Sequence, residues 1–145
     1  MMTAAPTPIS RDLFKGWLVL VVDDEPENTQ VASYILRRHG AEVIVANDGK
    51  EALKLVHEKR PKLIISDLAM PYMDGWALIA RLKDDRSTAD IPVLALTASG
   101  MGGLREKAIA AGFHNCMTKP FTMSTFVRDL VRLLIDLPDF QVALD

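Results

Sequence analysis

Leu18-Val19-Leu20-Val21-Val22, running into Asp23-Asp24, and Leu63-Ile64-Ile65-Ser66, running into Asp67, decide how this chain folds. Two further runs end in the same manner on other polar groups: Val93-Leu94-Ala95-Leu96 on Thr97, and Cys116-Met117-Thr118 on Lys119. Runs this short, mostly Val, Ile, Leu and Ala, read as strands covered on both faces, the condition of a parallel sheet. Set side by side, they bring three acids, a hydroxyl and an ammonium to one edge of one sheet.

Outward from these runs, strand-length segments at residues 17–22, 42–46, 62–66, 92–96 and 114–118 alternate with stretches of helical period, which predicts an α/β fold of βα units. In the first helix Ala32, Ile35, Leu36 and His39 share a face. Pro26 suits its first turn, where a missing N–H costs nothing, and Gly40 suits its stop. The second opens with Asp48 and Glu51 at capping-box spacing, turns Ala52, Leu53 and Val56 inward, and must end before Pro61. A third starts near Asp74 and buries Ile79 and Leu82; the fourth, near 103–111, shows the stripe Leu104, Ala108, Ala111. Phe126, Leu130, Leu133, Leu134 and Leu137 mark the last. Residues 1–15 are expected to form a flexible tail, 16–137 the folded domain and 138–145 a second tail.

With 145 residues and 49% hydrophobic content, the chain buries a core without disulfides or structural metal. Seventeen Lys and Arg against 19 Asp and Glu give a net charge of -2 without a basic block, which argues against direct nucleic-acid binding. No run reaches transmembrane length, the start lacks the apolar core of a signal peptide, and a lone cysteine, Cys116, suits a reducing compartment. The expectation is a cytoplasmic protein with no membrane insertion.

In open α/β sheets ligands bind beyond the carboxyl ends of the strands. Two carboxylates about 4 Å apart repel by about 4 kcal/mol at an effective dielectric near 20, so Asp23, Asp24 and Asp67 call for a counter-charge. A hard cation, Mg²⁺ or Mn²⁺, supplies it and keeps waters that phosphate oxygens can replace. Asp67, alone at the end of its strand, is the candidate nucleophile for phosphoryl transfer; Thr97 and Lys119 are placed to serve the transferred group.

Val21-Val22-Asp23-Asp24-Glu25-Pro26, Asp67-Leu68-Ala69-Met70-Pro71-Tyr72-Met73-Asp74-Gly75, Leu96-Thr97-Ala98 and Thr118-Lys119-Pro120 together resemble the receiver domain of two-component response regulators. The resemblance implies a flavodoxin-like doubly wound (βα)5 fold with a five-stranded parallel sheet of order 2-1-3-4-5. It makes Asp67 the phospho-acceptor, with the phosphoryl group given from phosphohistidine by a histidine kinase or histidine phosphotransfer protein. Asp23, Asp24, Asp67 and the backbone carbonyl of Ala69 would hold the metal. Thr97 and Lys119 would engage the phosphoryl group, and Pro120 would follow a cis peptide bond. Such a domain is no enzyme beyond assisting its own phosphorylation and dephosphorylation. It signals to a downstream protein target by contact, as a monomer or weak homodimer.

Two departures stand out. Cys116 occupies the position where many receivers carry an aromatic that turns with the threonine, so that half of the switch is missing. Thr97 can still draw on the loop 98–103, which glycines at 100, 102 and 103 keep permissive. Ala69 and Ser99, two residues past Asp67 and Thr97, offer no acid or amide to orient a hydrolytic water, which implies a long-lived phospho-state. The leading reading is a stand-alone receiver; the alternative is a receiver excised from a hybrid kinase or larger regulator. A phosphatase-type enzyme with an aspartyl intermediate would usually carry two acids, spaced two apart, after its first strand. A flavin binder needs a phosphate-cradling loop there, which Asp23-Asp24 would repel.

Overall fold

The computed structural model describes residues 12–70, 72–98, 102–119 and 122–137. Five strands and five helices alternate: β1 (Leu18–Val22), α1 (Pro26–Arg38), β2 (Glu42–Ala46), α2 (Gly49–Lys59), β3 (Leu63–Asp67), α3 (Gly75–Asp84), β4 (Val93–Thr97), α4 (Leu104–Ala111), β5 (Asn115–Thr118) and α5 (Met123–Leu134). The strands pair in parallel in the order β2-β1-β3-β4-β5. This is the flavodoxin-like arrangement that the resemblance implied.

Alternation along each strand sorts the core into two layers. Val19, Val21, Leu63, Ile65, Leu94, Leu96 and Met117 pack with Ile35 and Leu36 of α1 and with Phe126, Leu130 and Leu134 of α5. Leu20, Val22, Ile64, Val93, Ala95 and Cys116 pack with Val56 of α2, Leu78, Ile79 and Leu82 of α3, and Ala108 of α4. Two-sided covering explains why β1, β3 and β4 read as unbroken apolar runs.

Local signals placed most helix ends. Pro26 opens α1, and Gly40 reverses the chain after it with φ +94°. Asp48 accepts a hydrogen bond from the Glu51 N–H at 2.8 Å, while the Glu51 carboxylate accepts from the N–H of Asn47, one residue earlier than a capping box would have it. Asp74 caps α3 through the Ala77 N–H, and Thr122 with Thr125 forms a reciprocal box at α5. The fourth helix departs from expectation: of its stripe only Ala108 is buried, and Leu104 and Ala111 are partly covered.

The tail expected over residues 1–15 needs correcting within its described part. Phe14 is fully buried, meets Trp17 edge to face with ring centroids 5.6 Å apart, and donates its N–H to the His39 carbonyl at 2.8 Å. Gly16, at φ +83°, turns the chain from this anchor into β1. Burying a phenylalanine contributes about 1.5–3 kcal/mol, enough to hold a short segment against the body.

On the opposite layer, His57 Nε2 lies 3.0 Å from Asp85 Oδ2, tying the end of α2 to the end of α3. The hydrogen bond from His57 holds the Asp85 carboxyl down at about 2, and the same bond raises the imidazole above its ordinary 6.5. The raised imidazole favours the fold below pH 6.5 and loses that contribution as pH rises through its folded value; the lowered carboxyl contributes above 3.8 and loses it toward about 2. The link is therefore strongest between 3.8 and 6.5, and small because both groups are half-exposed. An NMR titration should find the His57 midpoint above 6.5 and see it fall back in Asp85→Asn; equal midpoints would refute the link.

Candidate functional site

The site is a product of register. Val22 of β1 pairs with Ser66 of β3, Asp67 with Leu96 of β4, and Thr97 with Thr118 of β5, so the residues that follow or end each strand arrive together. Asp23 leaves β1 fully buried and donates its N–H to the Ala46 carbonyl at 3.1 Å. Its Oδ1 accepts from the Glu25 N–H at 3.0 Å, which starts the turn into α1. Asp67 closes β3 inside the strand, one residue later than the expected end, and is 5% exposed. Thr97 closes β4, also buried, and its carbonyl accepts the Lys119 N–H at 2.7 Å.

Lys119 joins the parts. Its Nζ donates to Asp23 Oδ2 at 3.0 Å and to Asp67 Oδ2 at 3.1 Å. Burial works against its charge, but the hydrogen bonds it donates to the two carboxylates outweigh that and raise its pKa above the ordinary lysine value. Asp67 is raised as well: burial disfavours its anion, the Lys119 hydrogen bond relieves part of that, and the nearby Asp23 charge adds to it. One ammonium shared between two buried carboxylates leaves the site short of positive charge.

That shortage grows outward. Asp24 and Glu25 are exposed, and one carboxylate oxygen from each of Asp23, Asp24 and Glu25 lies within 4.8 Å of the others. Three hard oxygens converging beside a fourth carboxylate, with Lys119 as counter-charge, fit a divalent cation of the Mg²⁺ type. Glu25 is the residue that sequence reasoning left out of the metal set. Side-chain convergence there depends on the tight turn between β1 and α1, and three consecutive acids were the available signal. Asp67 joins the group through Lys119, which bridges it to Asp23. Ala69, an expected carbonyl ligand, donates its N–H to Asp67 Oδ1 at a long 3.4 Å.

The segment after Asp67 is held from two sides: Gly75 donates its N–H to the Leu68 carbonyl at 3.0 Å, and Gly49 donates to Met73 at 3.1 Å. Between them Tyr72 sits at φ +66° with its side chain 86% exposed. Cys116, in register with Ala95, is buried, and burial pushes its thiol up, which speaks against a reactive thiolate. Ser99 and Pro120, named for phosphate lifetime and for a cis bond, lie outside the described residues.

With fold and site in view, the chain belongs to the response regulator receiver family: residues 19–131 match the family model for the response regulator receiver domain. It is a two-component signalling domain. A 14.6 kDa protein of Leptolyngbya boryana is 40% identical over 110 residues, covering 76% of this chain and 84% of that one. The polar-differentiation response regulator DivK of Brucella anthropi is 33% identical, covering 81% and 96%. Among solved structures, the chemotaxis response regulator CheY4 of Vibrio cholerae superposes with a TM-score of 0.76 at 33% identity, covering 81% and 98%. The receiver domain of sensor histidine kinase PA1611 from Pseudomonas aeruginosa, with a magnesium ion coordinated in its active-site cleft, gives 0.72 at 30%, covering 82% and 98%. Other relatives are far longer: the chain spans 12% of the Escherichia coli sensor histidine kinase RcsC, at 31% identity and over 78% of its own length. Among the described residues no helix is long and apolar enough to cross a membrane.

Proposed function

We propose that Asp67 accepts a phosphoryl group from a phosphohistidine of a histidine kinase or histidine phosphotransfer protein, and that the phosphorylated domain signals by contact with a downstream protein. The observation that carries this reading is the Lys119 bridge between the buried carboxylates of Asp67 and Asp23 at the ends of adjacent strands. A carboxylate oxygen of Asp67 attacks phosphorus, a P–O bond forms as the P–N bond breaks, and the electron pair returns to the imidazole nitrogen. Lys119 restrains the nucleophile and faces the new charge; the Thr97 hydroxyl donates to a phosphoryl oxygen and draws Ala98 along. Asp23 and Asp24, with Glu25 beside them, would hold Mg²⁺, which when bound neutralises phosphoryl oxygens. A stand-alone receiver is the favoured form, supported by the near whole-length likeness to DivK and CheY4; the likeness to part of RcsC supports the alternative of a receiver within a hybrid kinase.

Incubation with acetyl phosphate and Mg²⁺, followed by intact mass, should add one phosphoryl group to the wild type and none to Asp67→Ala. Equal labelling of both would remove Asp67 from its role. After removal of the donor the label should persist, because no acid or amide at position 69 orients a water; loss within seconds would overturn that lifetime.

A further inference from the structure

Among the described residues Tyr72 is the most exposed large side chain with an apolar body, at 86%. Its backbone stands at φ +66°, a left-handed conformation that sterics make costly for a bulky residue. Glycine or asparagine would hold that turn more readily, and the ring buries nothing in return. The loop that carries it returns to the end of β3 through the Gly75 N–H bond to the Leu68 carbonyl, and a Cβ added at Gly75 would collide with the Asp67 carbonyl oxygen. Tyr72 is three residues from Gly75, so at most about 11 Å of chain separates the two. On its other side the Gly49 N–H bond to the Met73 carbonyl sets the loop beside the start of α2. There a groove between α2 and α3 is lined by the apolar Leu53 and Met73 and by Lys50, Lys54, His57 and Arg81, with no acid among them in a chain whose net charge is -2. His57 is held by Asp85, whereas Lys50, Lys54 and Arg81 make no ion pair among the described residues.

Solvation accounts for cations on a helix face, but not for a strained, bare aromatic beside them. Asp67 is 5% exposed, and a phosphohistidine must bring its phosphorus to within roughly 3–3.5 Å of the carboxylate, so a protein donor has to cover the rim of the site. Even a transient interface of about 600 Å² per partner spans a radius of about 14 Å, and such a footprint centred on Asp67 takes in Tyr72. Rigid aromatic rings are effective anchors in such contacts, and cations at the edge of an interface steer an acidic partner onto it. We propose that Tyr72 and the cationic groove beside it are a docking surface for the protein that donates the phosphoryl group. The donor meets the ring with an apolar patch and Lys50, Lys54 and Arg81 with carboxylates. The proposal rests on Asp67 being the acceptor. A small donor such as acetyl phosphate reaches Asp67 without touching this surface, which selects among protein donors and takes no part in the chemistry.

The test profiles purified, phosphorylated histidine kinases and histidine phosphotransfer proteins of the source organism against the full wild-type chain, then compares the fastest of them with acetyl phosphate on variants. Tyr72→Asn should raise KM for the protein donor about tenfold or more with kcat held, and leave acetyl-phosphate labelling within about twofold. Its urea midpoint should not fall, because asparagine suits the left-handed turn. Tyr72→Phe, which keeps the ring, should accept from the protein donor as the wild type does. Lys50→Gln with Lys54→Gln should lower kcat/KM for the protein donor about tenfold at low salt and flatten its salt dependence. Unchanged protein-donor kinetics in Tyr72→Asn or in the double variant would overturn the proposal and leave Asp67 as acceptor. Acetyl-phosphate labelling slowed as much as protein transfer would also overturn it, since Tyr72 would then act on the geometry of the site. Labelling by acetyl phosphate with no transfer from any protein donor would overturn the phosphohistidine reading, and this proposal with it.

Discussion

Lys119→Met is expected to slow acetyl-phosphate labelling of Asp67 by about 10²–10³-fold, the loss typical when a positioned charge-stabilising donor is removed. It is also expected to destabilise the metal-free protein by about 3 kcal/mol at neutral pH, the lower end for breaking a buried ion pair. The Lys119 ammonium serves two carboxylates at 3.0 and 3.1 Å, and the side chains of Asp23 and Asp67 are 0% and 8% exposed. Methionine keeps most of the bulk and leaves two buried anions facing each other. Labelling at the wild-type rate, or an unchanged urea midpoint, would show that the bridge matters neither to the chemistry nor to the fold.

The pH dependence of that loss has a definite sign. The folded Asp67 carboxyl is raised above 3.8 by its burial, by more than the Lys119 hydrogen bond relieves, with the Asp23 charge adding to the rise. A raised carboxyl favours the fold below 3.8 and turns into a cost as pH rises through the folded value. Without the ammonium the Asp67 carboxyl moves further up, so the gap between wild type and Lys119→Met widens from acid to neutral pH and closes as Asp67 protonates. Added Mg²⁺ should narrow it at neutral pH, because a ligand that binds only the folded state stabilises by mass action. A gap that is flat with pH would mean the lost energy is packing.

Strand positions were legible within one residue because burial on both faces writes itself as continuous apolar runs, and the polar residue at each end marks where the cover stops. The Lys119 bridge to Asp23 spans 96 residues, and only strand order brings those residues together; order came from the family resemblance, since periodicity carries none. Phe14 escaped notice because an isolated aromatic beside a Pro- and Thr-rich stretch has no period to reveal its burial. The α4 stripe misled in the other direction: small residues at helical spacing show which face is able to pack, and only Ala108 meets the core fully. Gly75 was visible as part of a motif, while the reason for it needed coordinates.

Gly75→Ala is expected to cost about 3 kcal/mol, the upper part of the usual range for overpacking, and to slow labelling of Asp67 by about 10²-fold, the effect of roughly 1 Å of misplacement. A Cβ built at Gly75 collides with the Asp67 carbonyl oxygen and would stand 2.9 Å from the Leu68 Cα, and these are backbone atoms that have no rotamer to retreat into. Relief requires either that α3 draw back, which stretches the Gly75 N–H bond to Leu68, or that the end of β3 shift and carry the nucleophile off Lys119. Both routes act on the residue that receives the phosphoryl group, so stability and labelling should fall together. Gly102→Ala is the matched control: its added Cβ meets nothing within 4 Å, and its effect should stay within about 0.5 kcal/mol. Urea denaturation and the initial labelling rate of the two variants decide the matter. If Gly75→Ala behaves as Gly102→Ala does, the close approach of α3 to the end of β3 is not what positions Asp67.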